Sequence, residues 1–165
     1  MIFCIGTVLG RVVRAALTPI LQSVQLWRLG EQPLAHQDTL SGKRVLIVED
    51  EFLIAIEHES ILAEAGADVV SLQATVKGAL EFLEKNAIDA AVVDFCLLDR
   101  TSETLQEALA AKSLPFIVIS AYPRVLVRKD ERQAVLSKPV DPNLLCRTLC
   151  DEIAAQEGAA KARIV

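Results

Sequence analysis

The stretch VVDFCLLD, Val92 to Asp99, sets an apolar run against a carboxylate and then resumes with apolar residues. A segment that is burying itself presents Asp94 only where the chain reaches an edge at which the charge can be satisfied. The same form recurs along the chain. RVLIVE (44–49) ends in Glu49 and is followed by Asp50, PFIVIS (115–120) ends in Ser120, and AVLS (134–137) runs into Lys138. Apolar runs without alternation are what a parallel sheet covered on both faces requires.

Helical periodicity fills the intervals. Residues 51–65 carry Ile54, Ile61, Leu62 and Ala65 and close at Gly66; ADVVSL (67–72) is then the second strand. Val76, Ala79, Leu80 and Leu83 stripe a second helix capped by Thr75, before IDAAVVD (88–94) as the third strand. A helix over Ser102–Lys112 precedes the fourth strand, and a short irregular or helical piece leads to the fifth. The last helix has Asp141 as its cap, Pro142 at its first position and an apolar stripe of Leu145, Cys146, Leu149, Cys150 and Ile153. Five βα units in this order predict a doubly wound, five-stranded parallel sheet of the α/β class.

With 165 residues and 52% hydrophobic content, the chain fits one domain plus an extension. The expected division is an N-terminal extension and linker at 1–42, a domain at 43–157 and a C-terminal tail at 158–165. Residues 1–42 hold three Arg against Glu31 and Asp38, leaving 14 basic and 20 acidic residues for 43–165. An acidic body without a basic stripe argues against nucleic acid as a direct ligand. Cys4, Cys96, Cys146 and Cys150 form no C-x-x-C pair, so a reduced, cytoplasmic protein is expected, with Cys146 and Cys150 as core residues.

In the extension, Arg11 and Arg14 leave uncharged runs of 10 and 13 residues, short of the roughly 20 that a spanning helix needs. The order of charge and apolar residues also disfavours a secretion signal. At helical spacing, residues 8–28 put Arg11, Arg14, Thr18, Gln22 and Gln25 opposite Leu9, Val12, Val13, Ala16, Ile20, Val24 and Trp27, with Pro19 kinking or dividing the helix. Two readings stay open: a helix for a membrane surface or a partner, and an unstructured extension or upstream sequence from a misplaced start. The second is preferred. Residues Gly30 to Gly42 read as a linker.

In doubly wound sheets ligands collect at the carboxyl ends of the strands. Under a 2-1-3-4-5 order this edge gathers Glu49, Asp50 and Asp94, with Ser120 and Lys138 alongside. Clustered carboxylates raise one another's pKa unless a cation joins them, and Mg²⁺ suits an oxygen-only set. With Mg²⁺ and Lys138 neutralising phosphoryl charge, Asp94 can act as a nucleophile and become an aspartyl phosphate, which Ser120 can hydrogen-bond. Each residue alone has a bland alternative: helix-dipole acids, a turn cap, a strand end, a solvated lysine. Five such coincidences at one edge favour the functional reading.

The motifs VLIVEDE, VVDFCLLD, VISAY and LSKPVD, in this order, closely resemble the receiver domain of two-component response regulators, over roughly Lys43 to Glu157. The resemblance implies a flavodoxin-like fold, Glu49 and Asp50 as the acidic metal pair, and Asp94 as the phosphoacceptor. It further implies Ser120 as the switch hydroxyl, Lys138 as the phosphate-sensing lysine before a cis Pro139, and the Cys96 backbone carbonyl as a further metal ligand. It implies a sensor histidine kinase as phosphoryl donor.

Two departures stand out. Only 18 positions separate Ser120 from Lys138, so the helix region between the fourth and fifth strands is expected to be shortened or irregular. The usual switch aromatic, three before the lysine, is Val135, and Tyr122 is the available ring, as in stand-alone regulators whose fourth strand ends in a Thr-Gly-Tyr-like sequence. With only a short tail after the last helix, output is expected through partner binding or onward phosphotransfer. His58 reads as a solvated helix residue. The alternatives are a phosphorylation-independent binding module and a haloacid-dehalogenase-type phosphatase. The latter needs a second Asp where Cys96 stands, which disfavours it.

Overall fold

The computed structural model describes residues 40–98, 100–122 and 133–162. The expected helix at 8–28, most of the expected linker, Cys4, His36, Asp99, the 123–132 connection with its expected shortening and the last three residues lie outside the described residues.

Strands β1 (Arg44–Val48), β2 (Asp68–Gln73), β3 (Ala90–Asp94), β4 (Phe116–Ser120) and β5 (Val135–Ser137) build the sheet. Helices α1 (Phe52–Glu64), α2 (Val76–Lys85) and α3 (Glu103–Ala111) follow the first three strands, and α4 (Pro142–Ala162) follows β5. Every strand pairing is parallel, in the order β2-β1-β3-β4-β5, as the sequence predicts.

Alternate side chains of each central strand serve opposite layers. Val45, Ile47, Ala90, Val92, Ile117 and Ile119 pack with Leu62 of α1 and with Leu145, Cys146, Leu149 and Ile153 of α4. Leu46, Val48, Ala91 and Val93 pack with Val76, Ala79 and Leu83 of α2 and with Leu105 and Leu109 of α3. Between their ends the central strands β1, β3 and β4 are apolar because both faces are covered. Burial pushes the Cys146 thiol up to about 11, consistent with its place as a core residue.

Side chains cap the starts of α2 and α4. Thr75 Oγ1 accepts the Gly78 N–H at 3.1 Å, and Asp141 Oδ1 accepts the Leu144 N–H at 2.9 Å, satisfying amides that a first turn leaves unpaired. Helix α1 stops before Gly66, whose φ of +89° suits a residue without a Cβ. Among the described residues no helix is long and apolar enough to cross a membrane.

Two boundaries differ from expectation. Helix α4 continues to Ala162, through residues expected to begin a tail at 158. Its exposed later turns carry little apolar signal, but Lys43 reaches Glu157 at 2.8 Å and ties that region to the start of β1. Leu40, expected within the linker, is fully buried in the α1/α4 layer. Its N–H donates to Ala65 O at 3.0 Å and its carbonyl accepts the Lys43 N–H at 2.9 Å, closing a turn with Gly42 at φ +70°. A single apolar residue in a polar stretch has no periodicity, so its burial is invisible in the sequence.

Leu40→Ala is expected to cost about 2–5 kcal/mol in denaturant unfolding, as other buried leucines do; a linker residue would change stability by about 0.5 kcal/mol or less. A second expectation concerns pH. Arg44 Nε and Nη2 donate to Asp89 Oδ2 and Oδ1, each at 3.0 Å, and the Arg44 N–H donates to Oδ2 at 2.8 Å. The Arg44 guanidinium thereby holds the Asp89 carboxyl below its ordinary value of 3.8. The pair's contribution is full above that ordinary value and is lost as pH falls through the lowered folded-state value. Asp89→Asn should therefore lower the melting temperature at neutral pH, with the gap from wild type closing in acid, as followed by thermal melts across pH.

Candidate functional site

Strand register decides which side chains meet. Val48 pairs with Val93, so the residues that follow, Glu49 and Asp94, stand level at the carboxyl ends of two central strands. Asp94 pairs with Ile119, and Ser120 pairs with Ser137, which brings Ser120 and then Lys138 to the same edge. The Lys138–Pro139 peptide bond is cis, as the resemblance implies.

Glu49 and Asp94 are 4% and 6% exposed, respectively. Lys138 Nζ donates to Asp94 Oδ2 at 2.6 Å and to Glu49 Oε2 at 2.9 Å. The second oxygen of each carboxylate meets a backbone amide: Asp94 Oδ1 accepts the Cys96 N–H at 3.2 Å, and Glu49 Oε1 the Glu51 N–H at 3.3 Å. Half-buried Asp50 completes a trio with Glu49 and Asp94 whose oxygens lie within 4.8 Å of one another.

Burial raises the Glu49 pKa and the like charge of Asp94 adds to it, while the Lys138 hydrogen bond opposes both. Burial pulls the Lys138 pKa down, but its hydrogen bonds to Asp94 and Glu49 hold it above the ordinary lysine value. Three carboxylates against one ammonium leave a formal surplus of negative charge at this edge. Such a surplus favours a second cation, and an all-oxygen donor set suits a hard one such as Mg²⁺.

Ser120 is buried, and its Oγ accepts the Tyr122 N–H at 2.9 Å. The exposed Tyr122 ring meets Phe95 edge-on, with centroids 6.3 Å apart. Val135 is buried with Val118, and Phe95 and Phe116 pack against them. Cys96 is exposed and bridges to Thr101. The structure thus brings Glu49, Asp50, Asp94 and Lys138 into one cluster, sets Ser120 at the same edge, and links Tyr122 to Ser120 through its backbone.

His58 corrects an expectation. It is 4% exposed rather than solvated, and its Nδ1 has no hydrogen-bond partner among the described residues. Burial lowers its pKa, and the nearby Lys138 charge adds to the effect. With Ile54, Ile61, Lys138, Pro139 and Val140 it borders a cavity of about 220 Å³. The signal was present in the spacing: Ala55, His58 and Leu62 lie three and four apart, on the buried face of α1. Phe95 was also passed over, since it sits within the phosphoacceptor motif and shows its contact with Tyr122 only in three dimensions.

No family model matches the chain. The transcriptional regulatory protein PdtaR of Mycobacterium tuberculosis is 28% identical over 112 residues, which cover 67% of this chain and 55% of PdtaR. The chain thus spans about half the length of the curated relatives it matches. A CheY-like response regulator receiver domain protein from Methanospirillum hungatei superposes with a TM-score of 0.62 at 26% identity, covering 72% of this chain and 99% of that one. The response regulator PhyR from Brucella abortus gives 0.67 at 24% identity, over 87% of this chain and 59% of that one, and supports the fold alone. The resemblance to receiver domains read from the four motifs is borne out.

Lys138→Met tests the electrostatics of the cluster. Without divalent cation it is expected to lower stability, with the roughly 3–5 kcal/mol of a broken buried pair as an upper bound because Lys138 is partly exposed. Added Mg²⁺ should recover much of the loss in thermal melts.

Proposed function

We propose that this chain is a phosphoryl acceptor in a phosphorelay, modified at Asp94 by a sensor histidine kinase in the cytoplasm. The observation that carries the reading is Lys138 held between Glu49 and Asp94, with Asp50 completing the trio. Asp94 is the nucleophile: a carboxylate oxygen forms the new O–P bond as the P–N bond of the donor phosphohistidine breaks, and its electron pair returns to the imidazole. Lys138 offsets the charge of the incoming phosphoryl group and keeps a contact with the modified side chain. The Ser120 hydroxyl donates to a phosphoryl oxygen once the group is attached, and Tyr122, tied to Ser120 through its backbone, takes the place of the aromatic missing at Val135.

The donor chemistry fits Mg²⁺, which Glu49, Asp50, Asp94 and the Cys96 carbonyl would hold and which would neutralise phosphoryl charge. The chain modifies itself rather than turning over a separate substrate. Its output is binding of a partner that distinguishes the modified form, or onward phosphotransfer.

Incubation with Mg²⁺ and acetyl phosphate, followed by intact mass, is expected to show one phosphoryl adduct that is acid-stable, base-labile and absent in Asp94→Asn. Asp50→Asn should weaken Mg²⁺ binding about tenfold or more by calorimetric titration, since even groups one step removed from a metal cost that much. No adduct from acetyl phosphate or a cognate kinase would instead support the phosphorylation-independent binding module.

A further inference from the structure

Gln106 on α3 is 2% exposed, yet both ends of its amide are engaged. Its Nε2 donates to Ser102 Oγ at 3.0 Å, and its Oε1 accepts from Gln133 Nε2 at 2.6 Å. Ser102 is itself fully buried at the head of α3, and its N–H donates to Phe95 O at 2.8 Å. Phe95 directly follows Asp94, and the next residue, Cys96, donates its N–H to Asp94 Oδ1. At the far end Gln133 precedes Ala134, whose carbonyl accepts the Val118 N–H at 2.9 Å and which leads into β5. Strand β5 in turn delivers Lys138 to the site.

A glutamine suits this place because it is a donor at one end and an acceptor at the other. Buried amides left unpaired are costly, so a shift of the Ser102 hydroxyl is followed by Gln106 and then by Gln133. Val135 is an aliphatic side chain packed inside, so it has no hydroxyl with which to answer a change at Ser120. The three polar side chains form a continuous hydrogen-bonded chain between the loop after Asp94 and the entry of β5.

We propose that Ser102, Gln106 and Gln133 form a positioning relay, with Gln106 its central residue, that couples the state of the loop after Asp94 to the placement of the β5 entry. The trigger rests on Asp94 being the phosphoryl acceptor; the linkage from Ser102 to Gln133 does not.

The test is NMR of the isotope-labelled full chain. In unmodified protein, Ser102→Ala is expected to move the Gln133 side-chain amide signals, and to leave them unmoved when introduced into Gln106→Met. With Mg²⁺ and acetyl phosphate, the wild type should show movement at both Cys96 and Ala134. In Gln106→Met the Ala134 response should fall about twofold or more, while the Cys96 response and the adduct by mass persist. Should Gln106→Met not fold, Gln133→Ala, at a half-buried position, should cut the Ala134 response in the same way. Gln133 signals unmoved by Ser102→Ala in wild type, or equal Ala134 responses with and without the central amide, would overturn the relay. An absent adduct in wild type would overturn the phosphoacceptor reading alone, and the Ser102→Ala arm then decides the linkage.

Discussion

A single ammonium, Lys138 Nζ, stands between two buried carboxylates, and the carboxyl edge of the sheet is organised around that contact. Glu49 and Asp94 come from neighbouring parallel strands, so their proximity is the price of the register that packs the core. Burial, and after it the like charge of Asp94, raises the Glu49 pKa. Lys138 opposes this shift and leaves a charge surplus that a metal ion can neutralise. An edge of this kind is a poor source of stability and a good place to receive an anion together with a cation.

The two-sided sheet explains why such an edge exists. Covering β1, β3 and β4 with helices on both faces removes water from the strands along their length, so their charged residues are confined to the ends. The parallel direction then places those ends together. The apolar interior fixes the positions of Glu49, Asp94 and Ser120 without any of them taking part in the core's packing.

Much of this was legible in the chain. Apolar runs ending in Glu49, Asp94 and Ser120, caps at Thr75 and Asp141, and the SKP sequence around Lys138 are local signals, and the structure contains the elements they imply. Less legible were contacts between residues distant in sequence. Leu40 owes its burial to α1 and α4, His58 lies against Lys138 and Pro139, and the Phe95 ring meets Tyr122 across two strand ends. The Gln106 amide meets Gln133, 27 residues on, only in three dimensions.

The sequence by itself determined the element types, their order and the residues that end each strand, because hydrophobic periodicity and capping act over a few residues. Only the tertiary structure decided which side chains share one cation, which amides are paired inside the protein, and that Leu40 joins the core. Those outcomes depend on strand register and on contacts between segments dozens of residues apart, where burial rather than local preference sets the energy of each group.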